Sequence, residues 1–262
     1  MQQVGMFKEL KKIIKKTYFY QLVNEASHRR AHKKWMHNSL CEDGLHEYGF
    51  HGDRYLMDLA DFFLSQSRAF VETGAFSGTT TCYVARKFPN IEIYSCEPHS
   101  VSFKHAVSQC KKYRNIDISK TSSPKFLYEL IMSLPRIKSQ FNTYFLDAHG
   151  FGFYCPLLDE VRFLTNNTNS GVLIIDDFKV PGRPEFGYDY CGEQEYSFDL
   201  IESSLCKSKE YTIIYPAYTE RTSQWHPLRG ACVIVFGADD FLLPENLSRN
   251  FSVIKKAYNK NR

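Results

Sequence analysis

Short apolar runs alternate with helical stretches from residue 69 onward, and this alternation is the feature that most constrains the fold. Seven runs have the length and apolar content of buried strands, at residues 69–73, 91–96, 115–120, 142–147, 171–176, 211–215 and 231–236. Segments typical of helices lie between them, at residues 78–88, 99–112, 124–133, 156–165 and 194–206. Parallel strands need long crossover connections of this kind. The pattern therefore predicts an α/β, Rossmann-like, doubly wound sheet of seven strands, mostly parallel, with the last strand antiparallel.

The size and composition of the chain indicate a folded protein rather than a disordered or fibrous one. It has 262 residues, of which 43% are hydrophobic and 15% are aromatic, whereas disordered chains are poor in aromatic residues. The longest apolar stretches, such as residues 232–236, are far shorter than the roughly 20 residues that cross a bilayer. We therefore expect a cytoplasmic protein with no transmembrane segment and no signal peptide. The eight cysteines contain no C-x-x-C pair, so we expect neither a zinc site nor a disulfide framework.

The first 37 residues are strongly basic, while the rest of the chain is not. They contain nine lysines and arginines against two glutamates, a net charge of +7, whereas the whole chain carries +4. Apolar residues recur there at helical spacing, at Phe7, Leu10, Ile14, Tyr18 and Leu22. We predict a basic helical extension over residues 1–60, ahead of one domain over residues 61–262.

The basic helix is compatible with several partners. Its apolar stripe can pack on the domain or on a second copy of the chain, which would give a homodimer. Its lysines can also make peripheral contact with an anionic membrane through residues 1–37. Nucleic acid is a less favoured partner, because no recognised RNA-binding domain accompanies the charge.

A glycine loop follows the first predicted strand and reads E-T-G-A-F-S-G-T-T from Glu72 onward. Gly74 permits a tight turn from strand to helix, and Gly78 allows the helix N-terminus to approach a ligand closely. A dinucleotide-binding G-x-G-x-x-G motif would need glycine at the positions of Phe76 and Thr79. The loop therefore indicates a nucleotide-type site and disfavours NAD.

An acidic residue, Glu97, follows the second predicted strand. A carboxylate at that place can accept hydrogen bonds from both hydroxyl groups of an adenosine ribose. Together with the glycine loop, Glu97 predicts a site for an adenosine-containing ligand.

The glycine loop and the following acid resemble the cofactor site of class I S-adenosylmethionine (SAM)-dependent methyltransferases, most closely the catechol-type and antibiotic-sugar O-methyltransferases. The resemblance implies that Glu97 binds the ribose of SAM, that Ser122 and Ser123 lie near the adenine, and that the loop passes the methionine half. The cofactor-binding residues implied in this way are Glu72, Gly74, Ala75, Phe76, Gly78, Thr79, Thr80, Glu97, Pro98, Ser122, Ser123, Asp147 and Ala148.

Three aspartates follow the fourth and fifth predicted strands: Asp147, Asp176 and Asp177. Carboxylates that converge at one edge of a sheet repel one another unless a cation or a proton lies between them. Oxygen ligands of this kind suit Mg²⁺ or Ca²⁺. Metal-dependent O-methyltransferases carry a similar set of aspartates, and the resemblance implies a Mg²⁺ site that polarises the acceptor hydroxyl. The alternative is that some of these aspartates cap helices or orient the cofactor.

The acceptor side of the site is less clearly marked in the sequence. His149 lies two residues after Asp147, and its imidazole can take a proton at neutral pH, so we predict it to be the catalytic base beside Asp147. The alternative is a histidine that packs within the protein or contacts the cofactor. The segment 179–191 is rich in Pro, Gly and Tyr and is predicted to be an irregular loop that forms one wall of the acceptor site. Its Lys179, Arg183, Tyr188 and Tyr190 are predicted to contact a polar or anionic acceptor, and the alternative is a rigid surface loop.

The function predicted from the sequence is transfer of a methyl group from SAM to a hydroxyl of a small molecule or carbohydrate, assisted by Mg²⁺. Two alternatives stay open. A nucleotide-dependent oxidoreductase could use the same sheet and acid, and a non-catalytic protein could bind SAM or a partner without turnover.

Overall fold

The computed structural model describes residues 48–148, 155–219, 228–238 and 241–258. The predicted basic helix, most of the predicted extension over residues 1–60, and His149 lie outside the described residues.

The described residues form one mixed sheet of eight strands with helices on both of its faces. Five strands are parallel to one another: β1 (Ala69–Thr73), β2 (Glu92–Cys96), β3 (Ile116–Ser119), β4 (Asn142–Leu146) and β5 (Gly171–Ile175). A short hairpin follows, formed by β6 (Tyr190–Cys191) and β7 (Gln194–Glu195). The main sheet ends with β8 (Glu210–Pro216), β9 (Cys232–Phe236) and β10 (Phe251–Ala257).

The strand order in the main sheet is β3-β2-β1-β4-β5-β9-β8-β10. Strand β9 is antiparallel to both of its neighbours, and β10 is antiparallel to β8. The predicted Rossmann-like α/β fold is thus confirmed, and each of the seven predicted strands is present. The predicted number of strands in the main sheet, seven, was one too few, because β10 was missed. Its residues include two lysines and are mostly exposed, since it lies at the edge of the sheet.

The helices that flank the sheet are α1 (Arg54–Leu64), α2 (Thr79–Lys87), α3 (Ser100–Cys110), α4 (Ser123–Ser133), α5 (Pro135–Ser139), α6 (Leu157–Asn167), α7 (Phe198–Ile201) and α8 (Glu245–Ser248). The helix predicted over residues 194–206 was wrong over its first part. A strand of the hairpin occupies residues 194 and 195, and only a short helix and a 3-10 turn follow. The segment 179–191 was predicted to be irregular, but its last two residues form strand β6 of the hairpin.

The core lies in the centre of the sheet. Strands β1, β4, β5 and β9 are buried at every residue, which explains why their sequences are nearly continuous apolar runs. Helix α1 packs against β4 and buries Leu56, Leu59 and Phe63. Asp53 begins this helix, since its Oδ1 accepts hydrogen bonds from the backbone N–H groups of Tyr55 and Leu56 at 3.0 and 3.1 Å.

The parallel strands end at one edge of the sheet, which we call the ligand edge: the ends of β1, β2, β3, β4 and β5 with the segments that follow them. Backbone hydrogen bonds continue past the strands there. The N–H of Asp147 donates to the carbonyl of Thr73 at 3.0 Å, and the N–H of Asp176 donates to that of Leu146 at 3.2 Å. The residues after these strands are therefore held by the sheet itself. Within the part of the chain that the structure describes, no helix is both long enough and apolar enough to span a membrane.

Candidate functional site at the ligand edge

The glycine loop between β1 and α2 turns tightly over the ends of β2 and β4, the two strands that lie on either side of β1. Gly74 has a φ of +87° and Gly78 a φ of +80°, a region that side chains disfavour. A Cβ on Gly74 would lie 2.4 Å from the carbonyl oxygen of Asp147. The N–H groups of Gly74 and Ala75 both donate to the carbonyl of Cys96, at 3.1 and 2.9 Å. The loop is thereby fixed against β2 and β4.

Glu72 lies beneath this loop. It is 1% exposed, and its Oε2 accepts hydrogen bonds from the hydroxyls of Thr81 at 2.5 Å and Ser95 at 2.6 Å. Burial raises the pKa of Glu72 to about 7, against the two hydroxyl hydrogen bonds that lower it, and the charges of Asp147 and Glu97 raise it further. The carboxyl therefore joins β1, α2 and β2, and whether it also contacts a cofactor stays a prediction.

Glu97 follows β2 and is only 4% exposed. One carboxylate oxygen accepts from the N–H of Phe76 at 2.9 Å, and the other accepts from the N–H of His99 at 2.7 Å. A carboxylate offers about four lone-pair sites, so each oxygen keeps one for a further donor. Burial raises the pKa of Glu97 to about 7; the two backbone hydrogen bonds lower it and the charge of Asp147 raises it. This arrangement fits the predicted role of binding two ribose hydroxyls.

Helix α2 begins directly after Gly78, which gives the loop a helix N-terminus. The hydroxyls of Ser77 and Thr79 lie 3.1 Å apart, and the N-terminus carries a partial positive charge that favours carboxylates. Thr80 is buried, and its hydroxyl accepts a hydrogen bond from the N–H of Phe50 at 3.1 Å. Thr80 thus connects the loop to the segment before α1 rather than facing solvent.

The remaining predicted cofactor residues are at the same edge. Pro98 is exposed next to Glu97, and Ser122 is exposed after β3, one residue before α4. Ser123 is buried at the first position of that helix. Ala148 is half-buried, next to Asp147. The structure therefore brings these residues to the ligand edge, and their contacts with a cofactor stay predictions.

Two of the three predicted metal ligands come together, with a histidine that the sequence analysis missed. Nε2 of His51 lies 3.3 Å from Oδ2 of Asp147 and 3.0 Å from Oδ2 of Asp176. Each residue offers one ligand atom, and the three ligand atoms all lie within 4.8 Å of one another. We call His51, Asp147 and Asp176 the His-Asp-Asp cluster.

Asp177, the third predicted ligand, is not part of this cluster. Its φ is +51°, and its Oδ1 accepts a hydrogen bond from Nε of Arg229. The same guanidinium donates to Asp189 at 2.5 Å through Nη2. Desolvation lowers the pKa of Arg229, but the two carboxylates more than reverse this and raise it above its ordinary value. Asp177 thus ties the end of β5 to the segments that carry Arg229 and the hairpin, which explains why it does not join Asp176.

His51 reaches the cluster because its backbone turns sharply before α1. Phe50, His51 and Gly52 have φ values of +49°, +55° and +72°. Phe50 is fully buried, and its ring packs against Phe70, Tyr83 and Phe145 at centroid distances of 6.3, 6.1 and 5.0 Å. A sequence signal for the turn existed, since Gly52 and the helix-capping Asp53 precede the apolar pattern of α1.

The two aspartates change the electrostatics of His51. Desolvation lowers the pKa of the imidazole, but the charge of Asp176 and the hydrogen bonds to both aspartates raise it, with a net result well above its ordinary value. The two aspartates therefore concentrate negative charge around the imidazole of His51.

The side chains predicted to contact the acceptor are mostly engaged within the protein. Arg183 donates to the carbonyls of Ala217 and Tyr218 at 3.0 and 2.8 Å. Lys179 pairs with Glu195, which also accepts from the hydroxyl of Tyr188 at 2.6 Å. Tyr190 is 55% exposed beside Tyr188. Among the four residues considered, Tyr190 is the one whose position leaves a large surface for an acceptor.

Comparison with solved structures defines the class of fold. Many solved chains match this one, several of them SAM-dependent methyltransferases. The described strands form the Rossmann-like fold of that class, with a parallel core and antiparallel strands near the C-terminal end.

Two of these structures illustrate the degree of similarity. The O-methyltransferase TomG from Streptomyces achromogenes, involved in tomaymycin synthesis and solved in complex with SAM, matches with a TM-score of 0.52 and 17% identity, over 70% of this chain and 79% of TomG. A SAM-dependent methyltransferase from Aquifex aeolicus matches with a TM-score of 0.47 and 14% identity, over 77% of this chain and 96% of that one. Neither a family model nor a curated protein matches the sequence. At 17% identity the likeness to TomG shows the fold alone.

Proposed function

We propose that the protein transfers a methyl group from SAM to a hydroxyl group of a small molecule or carbohydrate. The observation that carries this proposal is Glu97. It is a buried carboxylate after β2, its two oxygens are oriented by backbone N–H groups, and it lies against the glycine loop. When bound, SAM supplies an electrophilic methyl group on a positively charged sulfur.

The chain's own residues account for binding of the donor. Glu97 would accept hydrogen bonds from the two ribose hydroxyls, and the N-terminus of α2 would face the carboxylate of the methionine half. Glu72, Glu97 and Asp147 make the edge acidic, and the charge of Asp147 raises the pKa of both glutamates. Such an edge favours a cationic sulfonium.

Methyl transfer needs an acceptor oxygen in line with the donor and a place for its proton. In the proposed reaction the hydroxyl oxygen would form the new bond to the methyl carbon as the carbon–sulfur bond breaks, S-adenosylhomocysteine would leave, and the hydroxyl proton would go to a base. Positioning supplies much of the rate enhancement in such a reaction. Asp147, which is half-buried and pairs with His51, would accept that proton or hold a cation. His149 stays the base predicted from the sequence.

The aspartates at the ends of β4 and β5 fit a divalent cation. Asp147 and Asp176 both approach the imidazole of His51, and they come from neighbouring strands of the sheet. A cation held there would polarise the acceptor hydroxyl and lower its pKa. Mg²⁺ is the ion that the aspartate pattern of the sequence predicts.

Release of S-adenosylhomocysteine tests the proposal directly. The purified chain is incubated with SAM, a divalent cation and panels of carbohydrate, phenol, amine and thiol acceptors, and S-adenosylhomocysteine is quantified. We expect its formation to depend on a hydroxyl acceptor. Glu97→Gln should lower kcat/KM for SAM by about 10-fold or more, since a buried hydrogen-bonding group is lost.

Glu92→Gln is the matched control, since Glu92 is at the other end of β2 in an exposed pair with Arg136. It should leave turnover unchanged. Turnover with amines or thiols instead would contradict the hydroxyl assignment. Tight SAM binding without turnover of any acceptor would favour the non-catalytic alternative.

A further inference from the structure

We propose that His51, Asp147 and Asp176 form a divalent-cation site in which the imidazole of His51 is a direct ligand, so that the site prefers Mn²⁺ to Mg²⁺. The site differs from the one predicted from the sequence in its third ligand, His51 in place of Asp177. Binding of the cation does not depend on the proposed methyl transfer, but its role in activating the acceptor rests on that proposed function.

The distances within the cluster suit a metal ion. Ligand atoms at about 2.1 Å from an ion and at right angles to each other are about 3.0 Å apart, and about 3.4 Å apart at the tetrahedral angle. Nε2 of His51 lies at 3.0 and 3.3 Å from the carboxylate oxygens of Asp176 and Asp147. The two carboxylate oxygens lie within 4.8 Å of each other, so a cation placed among the three ligand atoms would replace the hydrogen bonds of the cluster.

The charge of the cluster also favours a divalent cation. Two carboxylates and one imidazole carry a net charge of −1 when the imidazole is protonated and −2 when it is neutral. The side chain of Asp176 is only 7% exposed, so this charge is poorly solvated. Glu72 and Glu97 lie near enough for Asp147 to affect them, which adds to the negative potential.

The cluster is open on one side, as a site that takes part in chemistry must be. The side chains of His51 and Asp147 are 35% and 21% exposed, so water and an acceptor hydroxyl can reach the ion. Three protein ligands with open positions are typical of catalytic metal sites, whereas structural sites are closed.

His51 is held in place by the buried structure around it. Phe50 is packed among three aromatic rings and its N–H is bonded to Thr80 in α2. On the other side Asp53 caps α1. The backbone between them has positive φ at both Phe50 and His51, and such strain persists where surrounding packing fixes it.

The identity of the third ligand determines the preferred ion. Carboxylates suit Mg²⁺, Ca²⁺ and Mn²⁺, whereas an imidazole is a ligand for transition-metal ions rather than for Mg²⁺ or Ca²⁺. Mn²⁺ accepts both kinds of ligand, and its electron paramagnetic resonance signal reports binding directly. It is therefore the probe we choose.

The test titrates Mn²⁺ alone into the metal-free chain of 262 residues. Binding is followed as the loss of the electron paramagnetic resonance signal of free Mn²⁺. We expect one site per chain that Mg²⁺ displaces only at about 10-fold or higher concentration. His51→Ala should weaken Mn²⁺ binding by about 10-fold or more and abolish the preference over Mg²⁺. Asp177→Asn is the matched control and should change Mn²⁺ affinity by less than about twofold, because Asp177 is paired with Arg229.

A second measurement needs no variant and guards against a misfolded one. The pulsed electron-spin-echo spectrum of the Mn²⁺ complex should show modulation from a directly bonded nitrogen-14. Absence of this modulation, or no Mn²⁺ binding at all, would overturn the proposal and leave His51 as an imidazolium paired with two carboxylates. Loss of affinity in Asp177→Asn but not in His51→Ala would overturn it in favour of the sequence-predicted ligands.

SAM binding is measured on the same preparations, so that the two proposals can fail separately. Mn²⁺ binding without SAM binding would overturn the proposed methyl transfer and leave the cation site standing. SAM binding without Mn²⁺ binding would overturn the cation site and leave the proposed methyl transfer standing.

Discussion

Glu97 carries an unusual combination of burial and hydrogen bonding for a carboxylate. Its environment was the part of the site most accessible to sequence reasoning, because an acid after the second strand of an α/β sheet has a known position at the ligand edge. The structure adds that its pKa is raised to about 7. A carboxyl group with a pKa of about 7 changes its charge within the pH range in which the protein can be studied.

The affinity for SAM should therefore depend on pH. If only ionised Glu97 accepts both ribose hydroxyls, a pKa of about 7 predicts that the affinity rises about 10-fold between about pH 6 and pH 8 and is constant above that. Calorimetric titration at several pH values measures this. Glu97→Gln should bind SAM weakly with no such slope. A slope that persists in Glu97→Gln would assign the titration to another group, with Glu72 the first candidate.

The same pKa has a consequence of opposite sign for stability. The folded state holds the proton of Glu97 more tightly than the unfolded chain, whose ordinary value is 4.5. The stabilising contribution is fully present below about pH 4.5 and is lost as the pH rises through about 7. Cofactor binding and stability thus respond to this carboxyl in opposite directions.

Gly74→Ala tests the close approach of the glycine loop to β4. A Cβ there would lie 2.4 Å from the carbonyl oxygen of Asp147, at a φ of +87°. We expect a loss of about 2–5 kcal/mol in the free energy of unfolding, from left-handed strain together with overpacking. Chemical denaturation measures this loss.

Gly192→Ala separates the two causes, because Gly192 also has positive φ, +65°, but no atom within 4 Å of the added Cβ. It should cost only about 1–2 kcal/mol. Equal losses in the two variants would show that the contact with Asp147 does not matter.

At the scale of elements, the strands that are easiest to predict from the sequence are the buried ones. Strands such as β4 and β5 are buried on both faces, so their apolar runs are continuous and easy to recognise. Strand β10 lies at the edge with mostly exposed residues, and its pattern is weak. The hairpin β6–β7 has strands of two residues each, too short for any periodicity. Local pattern therefore predicts central elements better than edges.

The candidate site shows the same limit. Asp147 and Asp176 could be placed because each directly follows a buried strand. His51 could not be placed, because it lies far from both aspartates in the sequence. The turn that brings it to them is fixed by long-range packing of Phe50. The pairing of Asp177 with Arg229 could not be predicted for a related reason: Arg229 comes from a distant segment of the chain. Short-range patterns do not report such contacts.

Phe50→Ala tests whether packing holds the turn before α1. Phe50 is fully buried among three aromatic rings, and removal of a buried Phe side chain costs about 3–5 kcal/mol. We expect a loss of that size in the free energy of unfolding, measured with denaturant. Tyr48→Ala, at a site that is 42% exposed, should change stability by less than about 0.5 kcal/mol. A loss below about 1 kcal/mol for Phe50→Ala would mean that the turn is not held by this packing.

At the scale of the whole molecule, charge is separated along the chain. The first 37 residues carry +7 and the whole chain +4, whereas the ligand edge collects Glu72, Glu97, Asp147 and Asp176. The acidic edge matches a cationic donor and a divalent cation, the two components that the proposed reaction needs.

The central claim is that this edge binds SAM, and calorimetric titration of the purified chain tests it most directly. SAM and S-adenosylhomocysteine are titrated separately, with NADH as the control ligand, because Phe76 and Thr79 stand where a dinucleotide motif needs glycine. We predict one site per chain with a micromolar dissociation constant for SAM and for S-adenosylhomocysteine, and no heat with NADH. Binding of NADH without binding of SAM would contradict the claim and favour an oxidoreductase.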